Sequence, residues 1–148
     1  MSNTGPVKIE DFIMALESKS DSDYFIVKNN KTYSIKTNDG ITTSKLNYYD
    51  YSKESFDWIL IADVETKKEY RGKGYASTLI NEIYKDVTRR TPNKGIYLFV
   101  KSDNYGAIEF YKKNKFKFVK KYELKDGLYD IMCKGNADIH QFGNMKFR

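Results

Sequence analysis

This sequence has one cysteine (Cys133), one histidine (His140), one tryptophan and two prolines in 148 residues. A lone cysteine excludes a disulfide framework, and with a lone histidine it excludes a Cys/His metal cluster. Stability must then come from an apolar core, in a chain compatible with a reducing compartment. No apolar run approaches the roughly 18 residues of a membrane-spanning helix. The N-terminus, Met1-Ser2-Asn3-Thr4-Gly5-Pro6, lacks the charged and apolar regions of a signal peptide. A cytoplasmic protein without metal is the expectation. By length it is one domain, 1–148, burying about two-thirds of the surface of its unfolded chain.

Arginine is missing from the first 57 residues, where seven lysines face nine acids; the remainder sets nineteen basic residues against eleven acids. The second part is therefore the one suited to a polyanionic ligand. The mildly acidic first part would suit a cationic acceptor.

Within the basic part, Trp58-Ile59-Leu60-Ile61-Ala62-Asp63-Val64 is apolar and β-branched enough for a largely buried strand. Tyr70-Arg71-Gly72-Lys73-Gly74-Tyr75-Ala76 breaks it. Beyond the glycines, Ala76, Leu79, Ile80, Ile83, Tyr84 and Val87 recur with the spacing of one helical face. Strand, glycine turn and helix make a phosphate cradle, because the first helical turn has unpaired N–H groups and glycines let an anion approach them. Arg71 and Lys73 add positive charge. A Walker A loop fails for want of the Gly-Lys-Ser/Thr ending. A dinucleotide fingerprint fails at Ser77 and for want of a carboxylate in Asn93–Ile96.

Read as Arg-x-x-Gly-x-Ala (Arg71, Gly74, Ala76), the loop resembles the pyrophosphate loop of the GNAT N-acetyltransferase superfamily. The six-residue pattern also fits a plain structural turn. A second motif follows: after the strand Ile96-Tyr97-Leu98-Phe99-Val100 comes Asn104-Tyr105-Gly106-Ala107-Ile108-Glu109-Phe110-Tyr111, then Phe116. It resembles that family's Asn-x-x-Ala-x-x-Phe-Tyr run. The likeness covers 58–133, about half the chain.

The resemblance implies an α/β fold with a mixed, mostly antiparallel sheet, whose two central parallel strands splay at their C-terminal ends to admit the pantetheine arm of acetyl-CoA. It implies cofactor contacts from Val64 and Thr66 main chain, from Arg71, Gly72, Lys73, Gly74, Tyr75 and Ala76 at the pyrophosphate, and from Asn104, Ala107 and Tyr111. A backbone N–H near Thr66 would polarise the thioester carbonyl. The reaction implied is direct attack by a primary amine in a ternary complex. Tyr111, protonated at neutral pH, is the implied general acid. Where members of the family place a glutamate base, this chain has Trp58. Asp57, one residue away, and Asp63, further along the strand, are the candidate bases; both also read as ordinary solvated carboxylates. Asn104 also reads as an N-cap and Tyr111 as core.

The acceptor is a small amine or amino sugar in preference to a protein N-terminus or lysine, since no extended peptide-binding feature reads from the chain. No membrane partner is implied, and a homodimer stays open. Two other readings remain: a CoA-binding protein without catalysis, suggested by Trp58, and a basic nucleic-acid module. The second is disfavoured because no nucleic-acid-binding motif accompanies the lysines.

Before the central strand, Ile9, Phe12, Ile13 and Leu16 form a helical stripe. Tyr24–Val27 and Thr32–Lys36 read as a hairpin around Asn29-Asn30, and 41–46 as a third strand. Tyr48, Tyr49 and Tyr51 read as an aromatic loop cluster. After the second motif, Lys112 to Lys121 holds six lysines alternating with Phe116, Phe118 and Val119, as in a strand with one apolar face. Lys115 stands where the family most often has glycine. Lys125-Asp126-Gly127 is a hairpin turn, Cys133 reads as core, and 135–148 is a tail.

Overall fold

The computed structural model describes residues 23–50, 58–92 and 94–136. The helical stripe at 9–16, Tyr51, Asp57, His140 and most of the tail lie outside them. In chain order the elements are β1 (Tyr24–Lys28), β2 (Thr32–Thr37), β3 (Thr42–Asp50), β4 (Trp58–Thr66), a 3-10 turn (Lys68–Tyr70), α1 (Tyr75–Arg90), β5 (Gly95–Lys101), α2 (Tyr105–Lys113), β6 (Lys117–Leu124) and β7 (Gly127–Lys134). The strands form one mixed sheet of order β1-β2-β3-β4-β5-β7-β6.

By its contacts the chain divides into two compact units, one with the described residues through Tyr48 plus Asp63–Leu79, the other with the remainder. In the first, β1 and β2 pair antiparallel from Tyr24↔Thr37 to Lys28↔Tyr33. Asn29 makes their turn with its side chain, its Oδ1 accepting from the N–H groups of Lys31 and Thr32 at 2.9 and 2.8 Å. That local carboxamide bond is why Asn suits the position. β3 is longer than the sequence suggests and carries Tyr48 and Tyr49 as strand residues. Tyr48 packs edge-on against Tyr33 at 5.5 Å and its hydroxyl donates to the Asn29 carbonyl at 2.9 Å, so it braces the hairpin. Aromatic cross-strand packing thus extends a strand where the pattern reads as loop.

In the second unit β4 and β5 are parallel, as a strand–helix–strand crossover requires. The described pairs are Trp58↔Gly95, Ile59↔Ile96 and Leu60↔Tyr97. Both strands continue beyond the last pair, β4 to Thr66 and β5 to Lys101. Past that point β5 keeps its antiparallel partner β7, through Lys101↔Tyr129. Tyr97, Ile131 and Cys133 form a buried cluster with Leu60, Phe99, Val119 and Tyr122 packed against it. On α1, Leu79, Ile80, Ile83 and Val87 are all buried, as their spacing predicts. Each such side chain contributes roughly 1.5–3 kcal/mol.

The expected alternation in β6 breaks down. Pairing with β7 shifts register between Phe118 and Lys120, and Phe118 faces solvent at 52% exposure while Phe116 is buried. A bulge moves one residue out of phase, so the next inward side chain is Val119.

Candidate active site

The glycine loop has the geometry its sequence requires. Gly72 and Gly74 stand at φ +79° and +80°, in the left-handed region where a side chain is strained. A Cβ built on either would meet no atom of the described residues within 4 Å, so among them the loop has open space beside it. Helix α1 then starts at Tyr75, and its first intrahelical bond runs from Thr78 N–H to the Gly74 carbonyl at 2.9 Å. The N–H groups of Tyr75, Ala76 and Ser77 find no acceptor among the described residues. Those donors, the helix dipole and the exposed side chains of Arg71 and Lys73 suit a diphosphate.

Around the loop the structure adds what the motif does not show. Tyr75 packs edge-on against Tyr24 at 5.6 Å and tilts against Tyr70 at 6.2 Å, while Lys73 Nζ lies 5.6 Å from the Tyr70 ring centre. Arg71 is tied back to β4, its Nε donating to the Thr66 carbonyl at 3.1 Å. The Ser44 hydroxyl reaches both the Glu65 carbonyl and the Thr66 hydroxyl at 2.9 Å. The end of β4 is thus fixed by β3 and by the loop arginine. Ser44 gives no sequence signal, because it acts on residues more than twenty positions away.

Asp63 is exposed and takes φ +53°, which a β-strand does not otherwise use. Its short polar side chain tolerates this conformation, and its Oδ2 accepts from Asn47 Nδ2 at 2.9 Å. Its neighbour Val64 is half-buried. Asp63 therefore marks an irregularity in β4, and Asn47 is a partner that sequence reasoning missed.

The second motif lies in the other unit. Asn104 caps α2, its Oδ1 accepting from Ala107 N–H at 3.2 Å, so the cap reading of this residue holds. Its Nδ2 has no partner among the described residues. Tyr111 is half-buried, its ring 5.3 Å from Phe110 and 5.6 Å from Phe116. Burial pushes its phenol above the ordinary value of 10, so it carries a proton at neutral pH. The phenol oxygen has no hydrogen-bond partner among the described residues. Among those residues there is also no group of three or more His, Cys, Asp or Glu placed to hold a metal.

The mixed sheet, with its parallel pair β4 and β5 and its two helices, defines an α/β fold. Residues 11–116 match the Acetyltransferase (GNAT) family, and the chain belongs to it. Over 74 residues, half of this chain, it is 34% identical to histone acetyltransferase MCC1 of Arabidopsis thaliana, and the match spans 30% of that protein's length. Solved structures share the fold, two of them as follows. One is Arabidopsis thaliana Naa50 with the bisubstrate analogue CoA-Ac-MVNAL, at 22% identity and TM-score 0.61, covering 89% of this chain and 83% of that one. The other is a Bacillus anthracis protein assigned as a streptothricin acetyltransferase, in complex with acetyl coenzyme A, at 16% identity and TM-score 0.61, covering 83% and 68%.

Proposed function

We propose that this chain transfers the acetyl group of acetyl-CoA to a primary amine by direct attack in a ternary complex. The observation that carries the reading is the glycine cradle at Gly72 and Gly74, open among the described residues and backed by N–H groups at the start of α1 that find no acceptor among them. Acetyl-CoA would supply an activated acetyl thioester and a diphosphate of matching charge. Arg71, Gly72, Lys73, Gly74, Tyr75 and Ala76 would hold the diphosphate. Val64 and Thr66 would offer main chain to the pantetheine, and Asn104 Nδ2 would donate to it beside Ala107. Tyr111 Oη holds the proton that the departing sulfur needs. Asp63, through a water, is the base that the described residues offer; Asp57 is the other candidate. A small amine or amino sugar is favoured as acceptor over a protein N-terminus or lysine. A CoA-binding protein without turnover is the second reading, favoured by Trp58 at the family's base position.

Thermal unfolding with and without acetyl-CoA tests the cradle. Ligand at a hundred times its Kd adds about 2.7 kcal/mol to the native state. Gly74→Asn and Gly74→Asp both tolerate a left-handed backbone, and only the second adds a negative charge. The wild type should be stabilised, Gly74→Asn weakly and Gly74→Asp hardly at all. No stabilisation of the wild type means that the loop is only a turn. Stabilisation without turnover on any amine of a broad panel selects the inactive reading.

A further inference from the structure

Lys134, the last residue of β7, is a buried cation at 8% exposure, and no carboxylate among the described residues pairs with it. Its ammonium is satisfied by two helices instead. It donates to Asn81 Oδ1 on α1 at 2.9 Å and to the Asn114 carbonyl at the end of α2 at 3.0 Å, and it lies 5.0 Å from the ring centre of Tyr84. Asn81 and Tyr84 are three residues apart and so share a face of α1. The Asn114 carbonyl is one of the unpaired acceptors at the negative pole of α2, where a cation is best placed.

The two hydrogen bonds and the Tyr84 ring offset the cost of burying this charge, and an apolar side chain of similar length would leave the Asn81 and Asn114 oxygens without that donor. What an ammonium adds is direction. Asn114 is itself buried, and its N–H donates to the carbonyls of Phe110 and Tyr111 at 3.2 and 3.0 Å, while its Nδ2 donates to Phe110 at 2.9 Å. Two residues on, Phe116 N–H donates to the Tyr111 carbonyl at 3.0 Å, and the Phe116 ring packs against the Tyr111 ring. The Tyr111 phenol has no hydrogen bond of its own among the described residues, so its direction depends on this turn and these rings.

We propose that Lys134 is a positioning residue for Tyr111: its ammonium fixes the Asn114 carbonyl, which sets the turn that places Phe116 against the Tyr111 ring. This rests on the reading of Tyr111 as the general acid, and its test is built so that the two can fail separately.

The full chain is prepared with 13Cζ-labelled tyrosine, and the Tyr111 resonance is assigned with Tyr111→Phe. It is then titrated in the wild type, in Lys134→Met, in the milder Asn81→Ala, and in Lys85→Met as a control on an exposed lysine. Lys134→Met and Asn81→Ala should shift the resonance and move its midpoint down toward 10, and Lys85→Met should do neither. On the best amine of a panel, Lys134→Met should lower kcat by about tenfold with little change in KM for acetyl-CoA. It should add no further loss in a Tyr111→Phe background. An unmoved Tyr111 resonance in both Lys134→Met and Asn81→Ala overturns the proposal, and so does a full additional loss in the double variant. Should Lys134→Met fail to fold, Asn81→Ala decides alone. If Tyr111→Phe keeps its full kcat, the acid reading falls, while the resonance still reports whether Lys134 positions the ring.

Discussion

Phe116 N–H donates to the Tyr111 carbonyl at 3.0 Å across the end of α2, and Lys115 N–H donates to the Lys112 carbonyl at 3.0 Å. These paired bonds close the helix only if the residue between takes a left-handed backbone, and Lys115 does so at φ +72°. The position suits glycine, yet lysine holds it because the two bonds and the burial of Phe116 fix the turn.

Lys115→Gly should therefore stabilise the protein, by about 0.5–1 kcal/mol: relief of left-handed strain exceeds the added freedom of the unfolded chain. Urea unfolding would show a higher midpoint with an unchanged slope. A lower midpoint would mean that the lysine side chain makes a contribution that its exposed position does not suggest.

Gly95 presents the opposite case. A Cβ there would lie 2.5 Å from the Asn136 carbonyl oxygen and 2.8 Å from Cys133 Sγ, and the first of these is backbone that cannot swing aside. Gly95→Ala should cost about 1–3 kcal/mol, as overpacked sites do. It should also disturb Cys133, whose thiol burial pushes up to about 11. A thiol reagent at mildly alkaline pH should leave the wild type unmodified and label Gly95→Ala measurably faster. Equal stability and equal labelling would show that the end of β7 gives way freely.

Asp130 supplies a pH dependence. Burial works against its charge, but the Ser102 hydroxyl at 2.5 Å and the Lys121 ammonium at 2.9 Å outweigh burial and hold its carboxyl below the ordinary 3.8. A depressed carboxyl contributes stability that is complete above the unfolded-state value and is lost as the pH falls through the folded-state value. Asp130→Asn should therefore be less stable than the wild type at about pH 6, and the difference should shrink below about pH 4. A difference that stays constant with pH would assign the loss to packing instead of charge.

How much of this could be read beforehand differs from element to element. The strand, glycine turn and helix over 58–87 and the capped helix after Asn104 were legible, because each rests on local chemistry: β-branched residues, glycines, a 3.6-residue period, a side-chain cap. β3 ran past its expected end because Tyr48 gains Tyr33 and Asn29 as partners, which only folding brings together. Alternation places Phe118 on the buried face because it is blind to a bulge. Asn47, Ser44 and Lys134 gave no signal, since each acts on a partner at least sixteen residues away.

Tyr111 and Asp63 are separable by single substitutions. Tyr111 is protonated and without a hydrogen-bond partner among the described residues, the state a proton donor needs before its acceptor arrives. Tyr111→Phe keeps the ring and its packing on Phe110 and Phe116, so it should lower kcat roughly ten- to a thousandfold while acetyl-CoA still protects against heat. Asp63 already accepts from Asn47, which orients its carboxylate. Asp63→Asn keeps the left-handed backbone and removes the negative charge, so it should lower kcat by about a hundredfold if Asp63 holds the proton-accepting water. It should do so most strongly at low pH, where neutral amine is scarce. A loss in Tyr111→Phe alone would leave the donor in place and send the search for the base to Asp57. A loss in neither would move the chemistry off both residues, since turnover would persist without them.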